Sequence, residues 1–156
     1  MQDGQRKTGR KAVILLAEDD LGDQELTRRA LQDDSLTVDL HIVEDGEEAL
    51  SYLRREGDYA EEHSAPRPDL VLLDLNMPRM SGRELLKVLK DDPDLSRIPV
   101  VVLTTSEQEA DILRSYDLGC SSYIQKPVDM QQFTNAVRQL GRYWFEVVTL
   151  PAANTF

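Results

Sequence analysis

Two short apolar runs constrain the fold of this chain more than any other feature, because acidic residues follow each of them directly. Residues 13–17 are continuously apolar and precede Glu18-Asp19-Asp20, and residues 70–73 are continuously apolar and precede Asp74. Continuously apolar strands are typical of parallel sheets, in which both faces of a strand are buried. Since ligands bind at the carboxyl ends of such strands, we expect these carboxylates to lie close together. Crowded carboxylates repel one another, so the pattern predicts a metal site.

The composition indicates one globular domain that meets other proteins. With 156 residues, 40% hydrophobic and 30% charged, the chain can bury a full core. The single cysteine, Cys120, excludes an internal disulfide and fits the reducing cytoplasm, where we expect the protein to act. No apolar stretch approaches the ~20 residues of a membrane span, so no membrane association is expected. The net charge of −11 argues against nucleic-acid binding, because phosphates would repel it.

Strand and helix signals alternate along the whole chain. The apolar patterns predict strands over residues 12–17, 38–43, 70–74, 98–103 and 122–125. Helices are predicted over about 22–32, around Ala49 to Leu53, after Gly82, over about 108–118 and after Asp129. This alternation predicts an α/β fold, a doubly wound five-stranded parallel sheet with five helices. In the first helix, Leu26, Ala30 and Leu31 have the spacing of a buried face.

The ends of the later strands add groups that suit phosphoryl transfer. The fourth strand delivers the hydroxyl of Thr104 and the fifth delivers the amine of Lys126 to the same edge of the sheet. Mg²⁺ prefers oxygen ligands, which Asp19, Asp74 and the backbone carbonyl of Asn76 can supply. The metal and the ammonium would neutralise a phosphoryl group arriving at Asp74, and aspartate is a known nucleophile for acyl phosphates.

Taken together, these residues resemble the receiver domain of bacterial two-component response regulators. The shared positions are Glu18-Asp19, Asp74-Leu75-Asn76-Met77-Pro78, Ser81-Gly82, Thr104 and Lys126-Pro127. The resemblance places a flexible tail at residues 1–10, a receiver domain of the flavodoxin-like fold at 11–142 and a C-terminal extension at 143–156. It implies that Asp74 accepts a phosphoryl group from a sensor histidine kinase, with Mg²⁺ as the cofactor. It also implies that the protein has no enzymatic activity other than the gain and loss of that phosphoryl group.

The resemblance also assigns roles to single residues around Asp74. It implies that Asp19 holds Mg²⁺ with Glu18 in support, and that Thr104 and Lys126 each contact a phosphoryl oxygen. Tyr123 matches the aromatic position that reorients together with Thr104 during activation, and the Lys126-Pro127 peptide bond is expected to be cis. Glu18 stands where many receivers carry Asp, so its metal contact is expected to pass through water. Asp20 is expected to start the first helix.

Two further segments resemble stand-alone receivers that are paired with phytochrome-type histidine kinases. One is the long polar connection at residues 55–68, and the other is the ending at residues 144–151. Since only residues 143–156 follow the receiver region, we expect the output to pass through a downstream protein that the sequence does not identify. The apolar residues Trp144, Phe145, Val147 and Val148 predict a homodimer, and the alternative is that they pack on their own domain.

Three other functions are alternatives to the receiver. A phosphohydrolase of the haloacid-dehalogenase type needs a second Asp two residues after the nucleophile, and this position is Asn76. A nucleotide-binding protein needs a glycine-rich loop after the first strand, where Glu18-Asp19-Asp20 would repel phosphates. A receiver fold that serves as a phosphorylation-independent scaffold remains open.

Overall fold

A computed structural model describes residues 11–32, 37–61, 64–105 and 122–139 of the chain, with the backbone alone for residues 137–139. Within these ranges the chain forms five strands, four α-helices and two short 3-10 helices. The strands are β1 (Ala12–Ala17), β2 (Val38–Val43), β3 (Leu70–Asp74), β4 (Val100–Thr104) and β5 (Ser122–Gln125). The α-helices are α1 (Leu21–Leu31), α2 (Gly46–Arg54), α3 (Gly82–Asp91) and α4 (Met130–Gln139), and the 3-10 helices are Gly57–Tyr59 and Leu95–Arg97.

The strands form one parallel sheet in the order β2-β1-β3-β4-β5, which confirms the predicted fold class. After β1 the chain adds β2 on one side of it and then crosses over to add β3 on the other side. The strands β1 and β3 therefore lie side by side within the sheet. Ala17 pairs with Leu73 in the β1–β3 register, and Asp74 pairs with Leu103 in the β3–β4 register. This register brings the acidic ends of both apolar runs to one edge, at the switch point where such sheets bind ligands.

Alternate residues of the apolar strands cover the two faces of the sheet. Leu15, Leu73 and Val102 point to one face, beneath side chains of α2 and α3. Leu16 and Leu72 point to the other face, beneath side chains of α1 and α4. Burial on both faces explains why the central strands are continuously apolar. In the part of the chain that the structure describes, no helix is long and apolar enough to cross a membrane.

The predicted strand bounds are correct for β1, β2, β3 and β5, and β4 differs. This strand begins at Val100, two residues later than predicted, and it ends at Thr104. The difference arises because the backbone N–H of Ile98 donates to the carbonyl of Leu95 and so closes the preceding 3-10 helix. The helix predicted over 108–118 lies outside the described residues, as do the C-terminal extension and its predicted dimer contacts.

The predicted buried face of α1 was wrong at Leu26. This side chain is 47% exposed, whereas Gln24 and Thr27 are buried with Leu31. The side-chain amide of Gln24 donates to the backbone carbonyl of Glu18 at 2.7 Å. This hydrogen bond satisfies the buried amide, so a polar residue can occupy an inward position near the sheet edge.

Side-chain hydrogen bonds hold the described part of the 55–68 connection to α2 and to itself. The hydroxyl of Tyr52 donates to the carbonyl of Pro66 at 2.8 Å, and the guanidinium of Arg55 donates to the carbonyl of Ala65 at 3.1 Å. The hydroxyl of Tyr59 donates to Glu48 at 2.6 Å. This long connection therefore packs on the side of the domain that α2 covers.

Two glycines allow the loop between β3 and α3 to approach the rest of the domain closely. A Cβ on Gly46 would lie 2.2 Å from the carbonyl oxygen of Met80, and the N–H of Gly46 donates to that oxygen at 3.0 Å. A Cβ on Gly82 would lie 2.4 Å from the carbonyl oxygen of Asp74. Both positions therefore hold the loop that follows Asp74 against its neighbours.

We expect Gly46→Ala to lower the free energy of unfolding by about 1–3 kcal/mol, because the methyl group overlaps the backbone of Met80. Urea unfolding followed by circular dichroism measures this change. Gly22→Ala is the matched control, since a Cβ there meets only the side chain of Asp20, at 3.3 Å. Equal losses of stability in the two variants would contradict the close approach at Gly46.

Candidate functional site

The carboxyl edge of the sheet brings three carboxylates together. Glu18 follows β1 with Asp19, and Asp74 ends β3; one oxygen from each of the three lies within 4.8 Å of the others. Glu18 is completely buried and Asp74 is 4% exposed, whereas Asp19 is exposed. The side chains predicted to cluster from the two apolar runs therefore meet, with two of them removed from water.

The ammonium of Lys126 lies in the middle of this acidic edge. Lys126 follows β5, its side chain is only 8% exposed, and it donates to an oxygen of Glu18 at 2.9 Å. It also donates to an oxygen of Asp23 at 2.9 Å, and it lies 3.7 Å from an oxygen of Asp74. Burial alone would lower the pKa of Lys126, but the hydrogen bonds to Glu18 and Asp23 and the charge of Asp74 outweigh it and raise that pKa.

The contact between Asp23 and Lys126 was not predicted from the sequence. Asp23 lies in the first turn of α1, one turn after the acidic run, and this turn adjoins the same edge of the sheet. The available signal was a further carboxylate spaced one helical turn after Glu18-Asp19. Asp20 has the predicted role of starting the helix, since its side chain accepts the backbone N–H of Asp23 at 2.8 Å.

Burial raises the pKa of both interior carboxyl groups. Burial, with a smaller contribution from the charge of Asp74, raises the pKa of Glu18 to about 7 even though Lys126 opposes the change. Burial also raises the pKa of Asp74, against the hydrogen bond from the backbone N–H of Asn76 at 3.2 Å and the charge of Lys126. A divalent cation at this edge would offset both effects by favouring the ionised carboxylates.

The remaining predicted site residues belong to β4, β5 and the loops that follow β3 and β5. Thr104 ends β4 and is buried, and its backbone carbonyl accepts the N–H of Lys126 at 2.8 Å. Tyr123 in β5 is partly buried against the core face beneath α2 and α3. Asn76 lies exposed in the loop after β3, and the Lys126-Pro127 bond is cis, as predicted.

An ion pair holds the loop that follows Asp74. Arg79 has a φ of 63°, and its guanidinium donates to the buried carboxylate of Asp45. Burial favours the neutral form of Asp45, but the hydrogen bonds from the backbone of Glu48 and from Arg79 outweigh it and lower the pKa of that carboxyl. The ion pair and the hydrogen bond of Gly46 to Met80 thus fix both the loop and the start of α2.

Comparison with known proteins identifies the class to which this fold and edge belong. Residues 14–138 match the response regulator receiver domain, so the chain belongs to that family. This confirms the resemblance drawn from the strand-end residues.

The chain's relatives include response regulators, two of which are named as phytochrome response regulators. The chain is 43% identical to "Response regulator Rcp1" of Synechocystis sp. over 141 residues, which cover 90% of this chain and 94% of that protein. It matches the bacteriophytochrome response regulator RtBRR with a TM-score of 0.79 and 42% identity, over 86% of this chain and 81% of that one. It matches the phosphorylated cyanobacterial phytochrome response regulator RcpA with a TM-score of 0.70 and 45% identity, over 86% and 94%.

One of the solved structures holds a metal ion. The Mn²⁺-bound form of Rcp1 matches with a TM-score of 0.68 and 41% identity, over 88% of this chain and 97% of that one. The matches to RtBRR and RcpA relate the chain to phytochrome response regulators along most of its length.

The raised pKa of Glu18 predicts a pH dependence of stability in metal-free protein. A carboxyl group whose pKa is raised by folding stabilises the fold below its unfolded pKa, and this stability is lost as pH rises through the folded value. For Glu18 this pH window runs from the ordinary pKa of 4.5 to the folded pKa of about 7. In EDTA we expect the stability of the unmodified protein to fall relative to Glu18→Gln by up to about 1.4 kcal/mol per pH unit in this window.

Chemical unfolding at pH 5 to 8 measures the effect. Glu25→Gln is the control, since Glu25 lies exposed on α1 and pairs with Arg28 and Arg29. Parallel stability curves for the unmodified protein and Glu18→Gln would show that Glu18 has no raised pKa.

Proposed function

We propose that this chain is a single-domain response regulator that accepts a phosphoryl group on Asp74 from a sensor histidine kinase. The observation that carries the proposal is the nearly buried ammonium of Lys126, 3.7 Å from Asp74 at the ligand-binding edge of the sheet. The carboxylate oxygen of Asp74 would attack the phosphorus of a phosphohistidine. The bond from phosphorus to the histidine nitrogen would break as the bond to Asp74 forms, giving an acyl phosphate.

The residues around Asp74 supply the electrostatic stabilisation that this transfer needs. Phosphoryl transfer depends on positioning and on neutralising the negative charge of the transferred group. Lys126 would donate to one phosphoryl oxygen, and Thr104, buried at the neighbouring strand end, would donate its hydroxyl to another. The chain's own chemistry would then be limited to the metal-dependent gain and loss of this phosphoryl group.

The acidic edge fits Mg²⁺ as the cofactor. Oxygen atoms of Glu18, Asp19 and Asp74 lie within 4.8 Å of one another, and Mg²⁺ takes oxygen ligands while keeping several waters. Asp19 and Asp74 would bind the metal directly, the backbone carbonyl of Asn76 would add a ligand, and Glu18 would act through water. The relationship to Rcp1, for which a Mn²⁺-bound form is known, supports a divalent ion here.

The kinase partner is proposed to be a bacteriophytochrome or a related sensor. Support comes from the similarity to RtBRR and RcpA, both named as phytochrome response regulators, which extends over four fifths or more of each chain. The output is proposed to be a phosphorylation-dependent contact with a downstream protein. The homodimer stays a prediction, because the segment expected to form it lies outside the described residues. A phosphorylation-independent scaffold is the alternative, and it predicts that no acyl phosphate forms.

We expect Asp74→Asn to fold normally and to take no label from radioactive acetyl phosphate in Mg²⁺. The amide of asparagine is not a nucleophile for acyl phosphate formation, although it has nearly the same shape. Autoradiography of the gel-separated protein measures the label. Asp58→Asn, which removes an exposed carboxylate, is the control and should label at the rate of the unmodified protein. Label in Asp74→Asn would refute the assignment, and no label in the unmodified protein would favour the scaffold.

We expect Mg²⁺ to stabilise the fold and to bind through Asp19 more than through Glu18. A hundredfold excess over the dissociation constant should raise the free energy of unfolding by about 2.7 kcal/mol. Titration calorimetry should give a larger loss of affinity for Asp19→Ala than for Glu18→Ala, because the Glu18 contact passes through water. Asp58→Asn again serves as the control. Equal Mg²⁺ affinities in Asp19→Ala, Glu18→Ala and the unmodified protein would show that the metal does not bind at this edge.

Thr104 and Tyr123 are proposed to carry the phosphoryl state to the surface of β5. A phosphoryl group adds strong acceptor oxygens, and a Thr104 hydroxyl drawn to them would vacate space for the ring of Tyr123. We expect Thr104→Ala to accept phosphate but to lose the change in hydrogen exchange of β5 that phosphorylation causes. Thr105→Ala, at the exposed neighbouring position, is the control and should keep that change. The same change in both variants would exclude Thr104 from the switch.

A further inference from the structure

Lys126 has more partners in this structure than phosphoryl binding alone requires. An ammonium has three N–H donors, and two of them are used on Glu18 and Asp23, each at 2.9 Å. The distance of 3.7 Å to Asp74 is too long for a hydrogen bond. The lysine is therefore held by two carboxylates other than the one that it is proposed to serve.

These two partners differ in how easily they can release the ammonium. Glu18 is completely buried, so water cannot replace Lys126 as the partner of its carboxylate. The side chain of Asp23 is 31% exposed and lies in the first turn of α1, so water can replace the lysine there. An incoming phosphoryl oxygen would therefore displace Asp23 before Glu18.

We propose that Asp23 is a positioning residue that holds Lys126 in the unphosphorylated protein and is exchanged for the phosphoryl group. This inference rests on the proposed function and extends it to a residue outside the metal cluster. In the resting state the carboxylate of Asp23 accepts one N–H donor of the Lys126 ammonium, which the transferred phosphoryl group would need. Asp23 also adds one negative charge near the path of an anionic phosphodonor. Both effects slow phosphorylation, and both are removed when an amide replaces the carboxylate of Asp23.

Asp23→Asn tests the proposal with little change in shape. The backbone N–H of residue 23, which donates to the helix-capping Asp20, is unchanged in this variant. The amide oxygen can still accept from Lys126, so the ammonium stays at the edge without an opposing charge. The reaction followed is attack of an Asp74 oxygen on the phosphorus of acetyl phosphate, with the bond to the acetate oxygen broken and acetate released.

We expect Asp23→Asn to label about two- to fivefold faster than the unmodified protein at saturating Mg²⁺, the range for loss of one partly exposed ion pair. Glu25→Gln is the matched control, because it removes the same charge from α1 and contacts Arg28 and Arg29 instead of Lys126. Asp23→Glu, which restores the carboxylate, should return the rate toward that of the unmodified protein. The ¹⁵N resonance of the Lys126 ammonium should move in Asp23→Asn and stay in place in Glu25→Gln.

Each outcome separates this proposal from the proposed function. A labelling rate in Asp23→Asn that equals that of Glu25→Gln, or one that is slower than in the unmodified protein, would overturn the role of Asp23 while leaving Asp74 as the acceptor. An ammonium resonance that does not respond to Asp23→Asn would also overturn it. Absence of label in the unmodified protein would instead refute the proposed function, and the role of Asp23 with it.

Discussion

The balance between one buried ammonium and its surrounding carboxylates is the interaction on which this structure depends. Lys126 contacts Glu18 and Asp23 directly and lies close to Asp74, with almost no exposure to water. Charges removed from water are costly unless they are paired, so the lysine makes it possible for the sheet to end in buried acids. The single ammonium does not neutralise three neighbouring carboxylates, and a divalent cation would complete the balance.

The rest of the fold holds these charged groups in place. The parallel order places β1 beside β3, so each apolar strand delivers its acid to the same edge. Two close contacts that only glycine permits, at Gly46 and Gly82, position the loop after Asp74. The ion pair between Asp45 and Arg79 fixes the far side of that loop. The proposed chemistry therefore uses groups on strand ends, which the core on both faces of the sheet keeps rigid.

Sequence reasoning succeeded where local patterns determine the structure. The apolar runs predicted the strands and the acidic residues that follow two of them. The spacing of residues along the chain indicated the receiver family. Sequence reasoning failed at Leu26, because Gln24 turns inward with its amide paired to the backbone of Glu18, and apolar spacing alone does not predict a buried polar residue. It also missed Asp23, whose partner Lys126 lies 103 residues away in the chain. Pairings of this kind depend on how the elements meet in space, which spacing along one element does not reveal.

This edge of the sheet is proposed to direct a phosphoryl group to one carboxylate, that of Asp74. Sodium borohydride reduces an aspartyl phosphate to homoserine, so reduction after treatment with acetyl phosphate and Mg²⁺ marks the modified residue. Tandem mass spectrometry of the digested protein then locates the mark. Homoserine at position 74, absent when EDTA is included, is the result that the claim predicts. Homoserine at position 19 or 23 would contradict it. So would the absence of homoserine from a protein that has been shown to bind Mg²⁺.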